Sequence, residues 1–516
     1  MKIYFDFGMG QRSLLCHELA KCWKKNYGIN DFAGMIVVKN GGHLDFLKNQ
    51  KEINYHFIDN RDTIEEEALK IKLDMNRMDE IEKKLDIPLW YFVVADRNMG
   101  HFFVKGAIFS KTRMMSLANH ENIMKWVVYY YDLLDRRLDE FKPDAVVFLS
   151  NASLPSLMLA KMCEIKNIPY YELVTSRIKN FYSIIKNSYK GINKNIIEDY
   201  KSILSSEKPS EVVSRSASDY VDSFKKNPVS PEEDSYVLKD SRRLARQGII
   251  KIIGQTALEC AKMIATNIVF NFDKRKNNSY LRKKKILSST LVNMRKKLVL
   301  RNSMQDLFDN NINSGEKYVF YPLHLDPEAS TMILSPNFVN QLNLIEILAK
   351  NVPMTHKLYI KEHVPNIGIR PSNFYEEIKK YPNVRLVNPW ANTFDLISNS
   401  SLVVTISGTA GFEATLMRKP AIVFSETFYS KAGLAEYCSD IDRLGEVIKR
   451  QIYESQETSG EERDLKIKAL VTAIYKNSFK VNAADLIWGG DKKDLAERKD
   501  DLNKVAEKFY QAFNKK

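Results

Sequence analysis

Apolar and polar residues alternate along the chain in blocks that predict strand–helix units in both halves. Short apolar runs predict strands at residues 3–7 and 34–39, and the amphipathic stretch from Ser13 to Lys25 predicts a helix between them. From Pro143 to Val174 the run PDAVVFLS predicts a strand, LPSLMLAKMCEIKN a helix and IPYYELV a second strand. Because these strands are continuously apolar, we expect a parallel sheet that is covered on both faces.

The alternation stops near residue 185 and resumes at Lys317. The intervening residues read as helical and basic, with no clear strands. The resumed pattern predicts strands at KYVFYPL, KLYIKEH, VRLV, LVVTIS and AIVF, with helices between them, and residues 463–513 read as helical. We therefore predict an α/β protein with two Rossmann-type doubly wound domains facing a cleft. The predicted division is 1–195 on the acceptor side, 196–315 as a basic helical insertion, 316–480 as the nucleotide-sugar domain, and 481–516 as helices packing back.

The positive charge is concentrated in that insertion. The formal net charge is +14, and residues 239–301 contain 17 Lys and Arg against three acidic residues, which accounts for the whole excess. A localised basic block indicates a polyanionic partner. Basic clusters interleaved with Ile, Leu and Val favour an anionic membrane surface. The segment lacks the stacking aromatics of single-strand binders, so we expect no nucleic acid. A solvated helical hairpin is the alternative.

Cysteine usage and hydropathy favour a cytoplasmic protein. The five cysteines are scattered, which favours a reducing compartment over a disulfide framework or a zinc site. No uninterrupted apolar run reaches membrane-spanning length, and the first residues lack a secretory signal pattern. With the basic segment, this predicts a peripheral location at the inner face of the membrane.

Polar residues follow three predicted strands of the second half. His324, Asp326 and Glu328 follow the first, Lys361 and His363 end the second, and TISGTAGFEATLMRKPAIVF spans the third. The carboxyl ends of parallel strands share one edge of a sheet, where ligands of such folds bind. Glycines at a helix start let an anion approach the backbone N–H groups. Together these residues predict a site for a phosphate-bearing ligand.

Three stretches resemble a known family. VFYPLHLDPEAST, IKEHVPNIGIR and VVTISGTAGFEATLMRKPAIVF are similar to the capsular polysaccharide biosynthesis glycosyltransferases of the GT-B fold, relatives of bacterial capsule and Kdo transferases. The resemblance covers about residues 316–430 and is fainter in the first half. It implies a GT-B-like architecture and transfer of a sugar from a CMP- or UDP-linked donor, with no cofactor and no metal.

The resemblance also implies roles for individual residues. His363 would contact the donor phosphate, the turn would cradle that phosphate, and Glu413 would hold the ribose. The complete set of predicted donor-binding residues is His324, Lys361, His363, Arg370, Ser407, Gly408, Thr409, Gly411 and Glu413. Most have a structural alternative: the glycines as a tight turn, His363 as a surface loop histidine hydrogen-bonded to backbone, Glu413 as a helix-dipole partner, His324 as a helix cap, and Lys361 and Arg370 as solvated loop charges.

Acceptor activation calls for a general base. Asp6 and Asp96, at predicted strand ends of the first half, and Glu328 in the second are the candidates. Asp6 could instead buttress the turn at Gly8 and Gly10, and Asp96 could form a structural ion pair with Arg97.

Three functions fit these patterns. The first is a glycosyltransferase that extends or initiates a cell-surface glycan, with a glycan or lipid-linked acceptor. The second keeps the fold but transfers a polyol phosphate, as CDP-glycerol-dependent polymerases do, or epimerises a UDP-sugar. The third is a non-catalytic assembly component that docks on the membrane.

Overall fold

The computed structural model describes residues 1–8, 10–37, 42–108, 113–149, 152–231, 315–371, 373–453, 460–488 and 498–515, with short pieces between 250 and 309. The predicted membrane-binding segment, residues 239–301, therefore lies almost entirely outside the described residues. Among the helices that are described, none combines the length and the apolar character needed to cross a bilayer.

The strands form two sheets of Rossmann type. In chain order they are β1 (Lys2–Gly8), β2 (Asp31–Ile36), β3 (Tyr55–Asn60), β4 (Ala145–Phe148), β5 (Tyr170–Thr175), β6 (Phe181–Lys186), β7 (Tyr318–Pro322), β8 (Lys357–Lys361), β9 (Val384–Val387), β10 (Leu402–Thr405), β11 (Ala421–Val423), β12 (Glu436–Tyr437) and β13 (Phe479–Lys480).

Helices connect these strands and cover the sheets. In the first half they are α1 (Gln11–Tyr27), α2 (Gly42–Asn49), α3 (Arg61–Ala68), α4 (Met75–Leu85), α5 (Leu89–Val94), α6 (Arg113–Leu117), α7 (His120–Phe141), α8 (Leu154–Ile165), α9 (Lys194–Leu204), α10 (Pro209–Val212) and α11 (Arg215–Lys226). In the second half they are α12 (Ala329–Met332), α13 (Gln341–Asn351), α14 (Phe374–Lys379), α15 (Thr393–Asn399), α16 (Thr409–Leu416), α17 (Phe428–Lys431), α18 (Leu444–Tyr453), α19 (Gly460–Lys476), α20 (Ala483–Trp488) and α21 (Lys499–Asn514). Four short 3₁₀ turns complete the described pattern: Met99–Phe102, Pro336–Phe338, Val364–Asn366 and Ile441–Arg443.

The first sheet has the order β13-β6-β5-β4-β1-β2-β3. Its strands from β5 to β3 pair in parallel, whereas β6 pairs antiparallel with both β5 and β13. Alternate residues of β1 pack against α1, where Phe5 stacks on Trp23. The last helix packs there too, because Trp23 donates from Nε1 to the carbonyl of Ala506 at 2.8 Å. The end of the chain thus completes the core around its beginning.

The second sheet has the order β12-β11-β10-β7-β8-β9, and all its pairs are parallel. Its central strands are buried on both faces, as their continuous apolar sequence predicts. Leu344, Ile345 and Leu348 of α13 pack on one face of this sheet with residues of β7, β8 and β10. The sheet therefore presents a buried, rigid frame whose carboxyl edge carries the loops after β7, β8 and β10.

The chain separates into two compact units. The first comprises residues 1–96, 119–199 and 473–516, and the second comprises residues 97–118 and 200–472. This division differs from the one drawn from the sequence at three places: residues 97–118 join the second unit, and residues 196–199 and 473–480 join the first. These differences bring together segments that are far apart in the sequence, which local sequence patterns do not predict.

The predicted α/β class is confirmed: the protein is a mixed α/β chain with two Rossmann-type sheets. Two antiparallel additions were not predicted. The strand β6 follows the predicted βαβ unit, and β13 interrupts the stretch that reads as helical from residue 463.

Candidate functional site

The loops after β7, β8 and β10 meet at one edge of the second sheet, as the parallel pairing requires. Pro322 at the end of β7 pairs with Lys361 at the end of β8, and the N–H of Leu323 donates to the carbonyl of Lys361 at 2.9 Å. His324 follows directly, and its ring reaches the end of β10. The sequence separation between these groups is large, so only the sheet brings them together.

His324 is buried and fixed by groups of β10 and the following turn. The N–H of Ile406 donates to its Nε2 at 3.1 Å, and the hydroxyl of Thr405 lies 3.0 Å from the same atom. Because a backbone N–H donates to Nε2, that nitrogen is an acceptor and the neutral ring has its proton on Nδ1. His324 therefore does not cap a helix; it joins the first and third loops.

The glycine turn at the start of α16 is packed so tightly that larger residues do not fit. A Cβ on Gly408 would lie 2.6 Å from Oγ1 of Thr405 and 3.1 Å from Cε1 of His324, and one on Gly411 would lie 2.7 Å from Oη of Tyr429. The hydroxyl of Tyr429 donates to the carbonyl of Gly408 at 2.9 Å, which holds the turn in place. Both glycines are thus required by close approach.

The first turn of α16 has the backbone chemistry of an anion-binding site. Gly408 is the N-cap residue and has no side chain with which to cap the helix, Thr409 is the first helical residue, and the N–H of Gly408 donates to Oγ1 of Thr405 at 3.1 Å. Backbone N–H groups at such a helix start carry a partial positive charge and are suited to phosphate. The phosphate cradle at this helix start stays a prediction.

Ser407 and Glu328 lie on the same edge and are linked through Ser330. The Ser407 hydroxyl donates to the Ser330 carbonyl at 3.3 Å, and the Ser330 hydroxyl donates to Oε2 of Glu328 at 2.6 Å. Glu328 precedes α12, and its side chain is half-buried. The structure thus brings this candidate base beside the glycine turn.

Lys361, at the end of β8, has an amine of lowered basicity. Burial lowers the pKa of its amine to about 8, opposed by the negative charges of Glu362 and Glu413. Glu413 is itself buried in α16. A lysine held in a partly dry site next to carboxylates is poised to gain a stronger anionic partner, and such perturbed groups are concentrated at functional sites.

A buried charge network supports the loops from below. Arg370 donates from Nε to Oε2 of Glu362 at 2.8 Å and from Nη2 to Oε1 at 3.1 Å, and it forms a close ion pair with Asp326. Its remaining N–H groups donate to the carbonyls of Gly106 at 2.8 Å and His324 at 2.9 Å. The side chain is completely buried, and all five of its donors are engaged.

Arg370 is therefore a positioning residue here, and the predicted direct contact with the donor needs correction. Its guanidinium lies among Asp326, Glu362 and backbone carbonyls because those groups take every N–H it has. Burial raises the pKa of Asp326, while the charge of Arg370 opposes that shift. Arg370 lies in the predicted region, but it supports the loops and does not have a free N–H group for the donor.

Gln341 and Asn366 complete the support of His324. Gln341 accepts from the His324 N–H at 2.8 Å and donates to the His324 carbonyl at 3.1 Å. Asn366 donates to the same carbonyl at 3.2 Å. Neither residue was singled out from sequence, and an amide in an apolar helix or a loop gives little local signal.

His363 begins the 3₁₀ turn Val364–Asn366 and is half-buried. Its N–H donates to Oε1 of Glu362 at 2.7 Å, and its carbonyl accepts from the Asn366 N–H at 2.8 Å. Glu362, which also accepts from the Tyr375 hydroxyl at 2.9 Å, therefore couples the backbone of His363 to Arg370. The Glu in the predicted Lys-Glu-His element is a structural anchor that the sequence reading overlooked.

The other two predicted carboxylates, Asp6 and Asp96, belong to the first unit. Asp96 is 1% exposed, and its Oδ2 lies 2.5 Å from Nη2 of Arg61 and accepts from the N–H of Leu154 at 3.3 Å. Its carboxylate thus pairs with Arg61 and fixes the first turn of α8. Asp96 therefore forms a structural ion pair, but with Arg61 and not with the expected Arg97. Asp6 lies near the end of β1, buried.

Within the part of the chain that is described, no group of three or more His, Cys, Asp or Glu is arranged to hold a metal ion. The groups gathered at the second sheet's edge are hydroxyls, backbone N–H groups, two histidines and an amine, together with the carboxylates of Glu328 and Glu413. The N–H, hydroxyl and amine donors among them suit an anion.

Comparison with known proteins finds a matching family. Residues 222–451 match the model of the family described as capsule polysaccharide biosynthesis protein. The match includes every predicted donor-binding residue from His324 to Glu413, and the resemblance seen in the sequence is confirmed.

Individual proteins similar to this chain have low sequence identity to it or match only a small part of it. Protein FixF of Sinorhizobium fredii (strain NBRC 101917 / NGR234) is 30% identical over 134 residues, which are 25% of this chain and 31% of FixF. The β-Kdo 2,4-transferase KpsC of Thermosulfurimonas dismutans is 14% identical, with a TM-score of 0.33, covering 67% of this chain and 83% of that one. A UDP-GlcNAc 2-epimerase of Neisseria meningitidis bound to UDP-GlcNAc is 14% identical, with a TM-score of 0.24 and coverages of 92% and 99%. We draw nothing further from TM-scores of this size.

Proposed function

We propose that the protein is a metal-independent glycosyltransferase that moves a sugar from a nucleotide-activated donor to a growing capsule- or lipopolysaccharide-type glycan. The observation that carries this proposal is the edge of the second sheet. There the glycine turn that opens α16 lies beside His324, and the perturbed amine of Lys361 interacts with the charge of Glu413 in the same helix. The match of residues 222–451 to the capsule polysaccharide biosynthesis family supports the glycan product.

The chemistry explains why these groups suit a leaving phosphate. When the bond from the anomeric carbon to the phosphate oxygen breaks, negative charge grows on the phosphate. Preorganised N–H groups and cations that face this charge stabilise the transition state more than the ground state. The helix start and Lys361 would meet the developing charge without any need to reorganise.

Residue roles follow from this placement. Ser407, Gly408, Thr409 and Gly411 would bind the phosphate, with His324, Lys361 and His363 beside it, and Glu413 would bind the ribose of a CMP- or UDP-linked donor. Arg370 would act indirectly, by holding His324 and the Glu362 loop. Glu328 or Asp6 would take the proton of the acceptor hydroxyl.

The acceptor side of the proposal rests on charge. A glycan or lipid-linked acceptor is presented at a membrane, and residues 239–301 contain the whole positive excess of the chain. We place the enzyme in the cytoplasm, peripheral at the inner face of the membrane, through attraction between this segment and anionic lipid.

The test is nucleotide binding followed by turnover. The full-length protein is heated with CMP, CDP, UDP or GDP, and we expect one nucleotide to raise its melting temperature. Radiolabelled sugar donors of that nucleotide should then be consumed with release of the nucleotide, in the presence of EDTA and a membrane fraction as acceptor. Stabilisation without turnover would favour a non-catalytic assembly role. Release of CMP from CDP-glycerol, or conversion of a UDP-sugar without nucleotide release, would favour the polyol-phosphate transferase or the epimerase.

His363→Ala ties the result to the site. We expect the nucleotide-induced shift to fall in this variant while the melting temperature without nucleotide changes little, because the structural anchoring at this position uses backbone atoms and Glu362. His56→Ala, an exposed histidine of the first unit, is the matched control. An unaltered nucleotide response in His363→Ala would remove this residue from the donor site.

A further inference from the structure

The amino edge of the second sheet, where its strands begin, has a cluster of cations. The residues between α16 and β11 supply part of it, and the helices α11 and α19 supply the rest. The basic cluster consists of Lys225, Arg418, Lys419, Arg463 and Lys468. All five residues belong to the second unit. Because the glycine turn opens α16 and the basic cluster follows its last residue, the two lie at opposite edges of the sheet.

One carboxylate lies at the centre of the basic cluster. Nη2 of Arg418 lies 2.7 Å from Oδ1 of Asp464, and Nζ of Lys468 lies 3.2 Å from Oδ2. Lys225 forms a close ion pair with the same carboxylate. Asp222 lies 3.3 Å from Lys468. Among the described residues, the five cations are paired with these two carboxylates, so an excess of positive charge remains.

Arg463 is held next to Arg418 without a carboxylate of its own among the described residues. Its Nη2 donates to the carbonyl of Lys419 at 3.0 Å, and its Nε is buried with no hydrogen-bond partner in the described part of the chain. Burial and then the charge of Arg418 lower the pKa of the Arg463 guanidinium, so two like charges lie close together. A buried N–H without an acceptor and a pair of like charges are both unfavourable, and an anion between the two guanidinium groups would relieve both.

The backbone at Arg418 is also unfavourable for arginine. Its φ is 59°, in the left-handed region that glycine adopts without strain. A residue with a long side chain at such a position is a marker of function when that side chain has a task. Next to it, Nζ of Lys419 donates to the carbonyl of Ser400 at 3.1 Å, which holds this amine at the same edge.

This arrangement suits a phosphate monoester. A guanidinium donates two parallel N–H bonds to a phosphate, and such charge-assisted bonds are stronger than neutral ones. A phosphate monoester carries about two negative charges at neutral pH, which would balance the positive excess better than a single carboxylate.

We propose that the basic cluster is a second anion site, which binds a phosphate monoester between Arg418 and Arg463. Asp464 competes with the phosphate for Arg418 and holds the cations together when no ligand is bound. Small soluble phosphate esters and phosphatidic acid both present this group, so the two sources share one chemistry. The site goes beyond the proposed transferase function and does not depend on it.

The first experiment measures binding of inorganic phosphate to the full chain. Melting temperatures and titration calorimetry are recorded with sodium phosphate, while sodium chloride keeps the ionic strength at about 0.15 M. We expect phosphate to raise the melting temperature above that of the chloride-matched sample. Arg418→Gly removes the guanidinium and suits the left-handed backbone, so it should keep the ligand-free stability and lower phosphate affinity about tenfold or more. Arg463→Gln should lower the affinity by about the same factor.

Lys142→Gly is the matched control, because the exposed Lys142 of the first unit also has a left-handed φ, of 50°. It removes the same charge at the same kind of backbone position and should leave phosphate binding unchanged. Asp464→Asn should act in the opposite direction: it should melt lower without ligand and bind phosphate more tightly. Equal phosphate responses in Arg418→Gly and Lys142→Gly would overturn the site, and so would weaker binding by Asp464→Asn.

The second experiment separates the two sources of phosphate. Binding of glycerol phosphate at least as tightly as inorganic phosphate would identify a soluble ester as the ligand. Co-sedimentation with phosphatidic acid vesicles that is lost in Arg463→Gln, and that glycerol phosphate does not compete, would identify the lipid. Failure of all three probes to bind above matched salt would overturn the site.

Gly408→Ala distinguishes this site from the donor cradle at the opposite edge. We expect it to bind phosphate at the basic cluster as wild type does, because its added methyl group contacts Thr405 and His324. Absence of nucleotide binding with phosphate binding intact would count against the transferase proposal alone. Nucleotide binding without an Arg463-dependent phosphate response would count against the second site alone.

Discussion

Lys361 illustrates how a single residue can be unfavourable for stability and favourable for binding. Its pKa is lowered to about 8 chiefly by burial, although Glu362 and Glu413 supply opposing charge. The protein retains a partly desolvated amine at the end of a central strand, where an apolar side chain would be easier to bury. The expected compensation is the binding of an anion, which would return the pKa of this amine toward its ordinary value.

Lys361→Met should therefore stabilise the free protein and weaken nucleotide binding. The folded pKa lies below the unfolded one, so the cost of the charged amine is present below about pH 8 and is relieved as the pH rises toward about 10.4. We expect the variant to melt higher than wild type at neutral pH, with the difference shrinking at alkaline pH. Calorimetry near pH 8, in buffers of different ionisation enthalpy, should show proton uptake on nucleotide binding by wild type only. Equal proton uptake in Lys361→Met would show that another group titrates.

Arg370 makes the opposite contribution, since it neutralises charges that are already buried. Removing it would leave Asp326 and Glu362 without their cation and the His324 carbonyl without one of its three side-chain donors. Breaking a buried pair of this kind costs about 3–5 kcal/mol. We expect Arg370→Met to lower the free energy of unfolding by about that amount, measured by urea denaturation. Arg385→Met removes a partly exposed pair with Glu316 and should cost about 1 kcal/mol or less. Equal losses in the two variants would show that the Arg370 network is not critical.

At the scale of elements, the helix start of α16 depends on two positions that must be glycine. The turn contacts Thr405 and His324 on one side and Tyr429 on the other, so an added methyl group has nowhere to go. The N–H of Gly408 donates to Oγ1 of Thr405 at 3.1 Å, so the same packing fixes the backbone at the helix start. The glycines serve close approach, since neither has a left-handed φ.

Gly408→Ala should consequently displace Thr405 and His324 and weaken donor binding. Overpacking of this kind costs about 1–3 kcal/mol of stability. We expect nucleotide affinity to fall about tenfold or more, which corresponds to about 1.4 kcal/mol, by titration calorimetry. Gly460→Ala is the control, because a Cβ at Gly460 meets no atom within 4 Å. If Gly408→Ala bound nucleotide like Gly460→Ala, the turn would not be the phosphate cradle.

Sequence patterns predicted the elements and the edge of the sheet because those follow from local rules. Continuous apolar runs indicate parallel strands, and parallel strands bring His324, Lys361 and Ser407 to one edge whatever the loops do. The network beneath was not predictable in this way. Glu362 looks like a loop acid, and its contacts with Arg370 and Tyr375 depend on the fold of three loops. The pairing of Asp96 with Arg61 spans 35 residues and likewise has no local signal.

At the scale of the whole molecule, the first unit is built from segments at both ends of the chain, and this affects how it folds. The helix α21 packs on α1, where Phe509 and Phe513 surround Trp23 and Tyr27 stacks on Tyr510 at 3.7 Å between ring centroids. The core of the first unit thus contains residues from both ends of the chain. Its formation requires the second unit's sequence to be spanned before the first unit is complete, which raises its contact order.

Positive charge is distributed unevenly along the chain. Residues 239–301 contain the entire positive excess, and Lys283, Lys284 and Lys285 form its densest cluster of consecutive bases. Each basic residue near an anionic bilayer contributes about 1 kcal/mol, so replacing all three by Gln should weaken vesicle binding about 100-fold at low salt. The measurement is co-sedimentation with vesicles of phosphatidylglycerol and phosphatidylcholine, with pure phosphatidylcholine for comparison.

Replacing the exposed Lys25, Lys83 and Lys84 removes the same charge elsewhere and should have a smaller effect. Because screening acts on exposed charges over about 10 Å at 0.1 M salt, wild-type binding should also decline as salt rises. Undiminished co-sedimentation of the Lys283–Lys285 variant would show that these lysines do not hold the protein at the membrane.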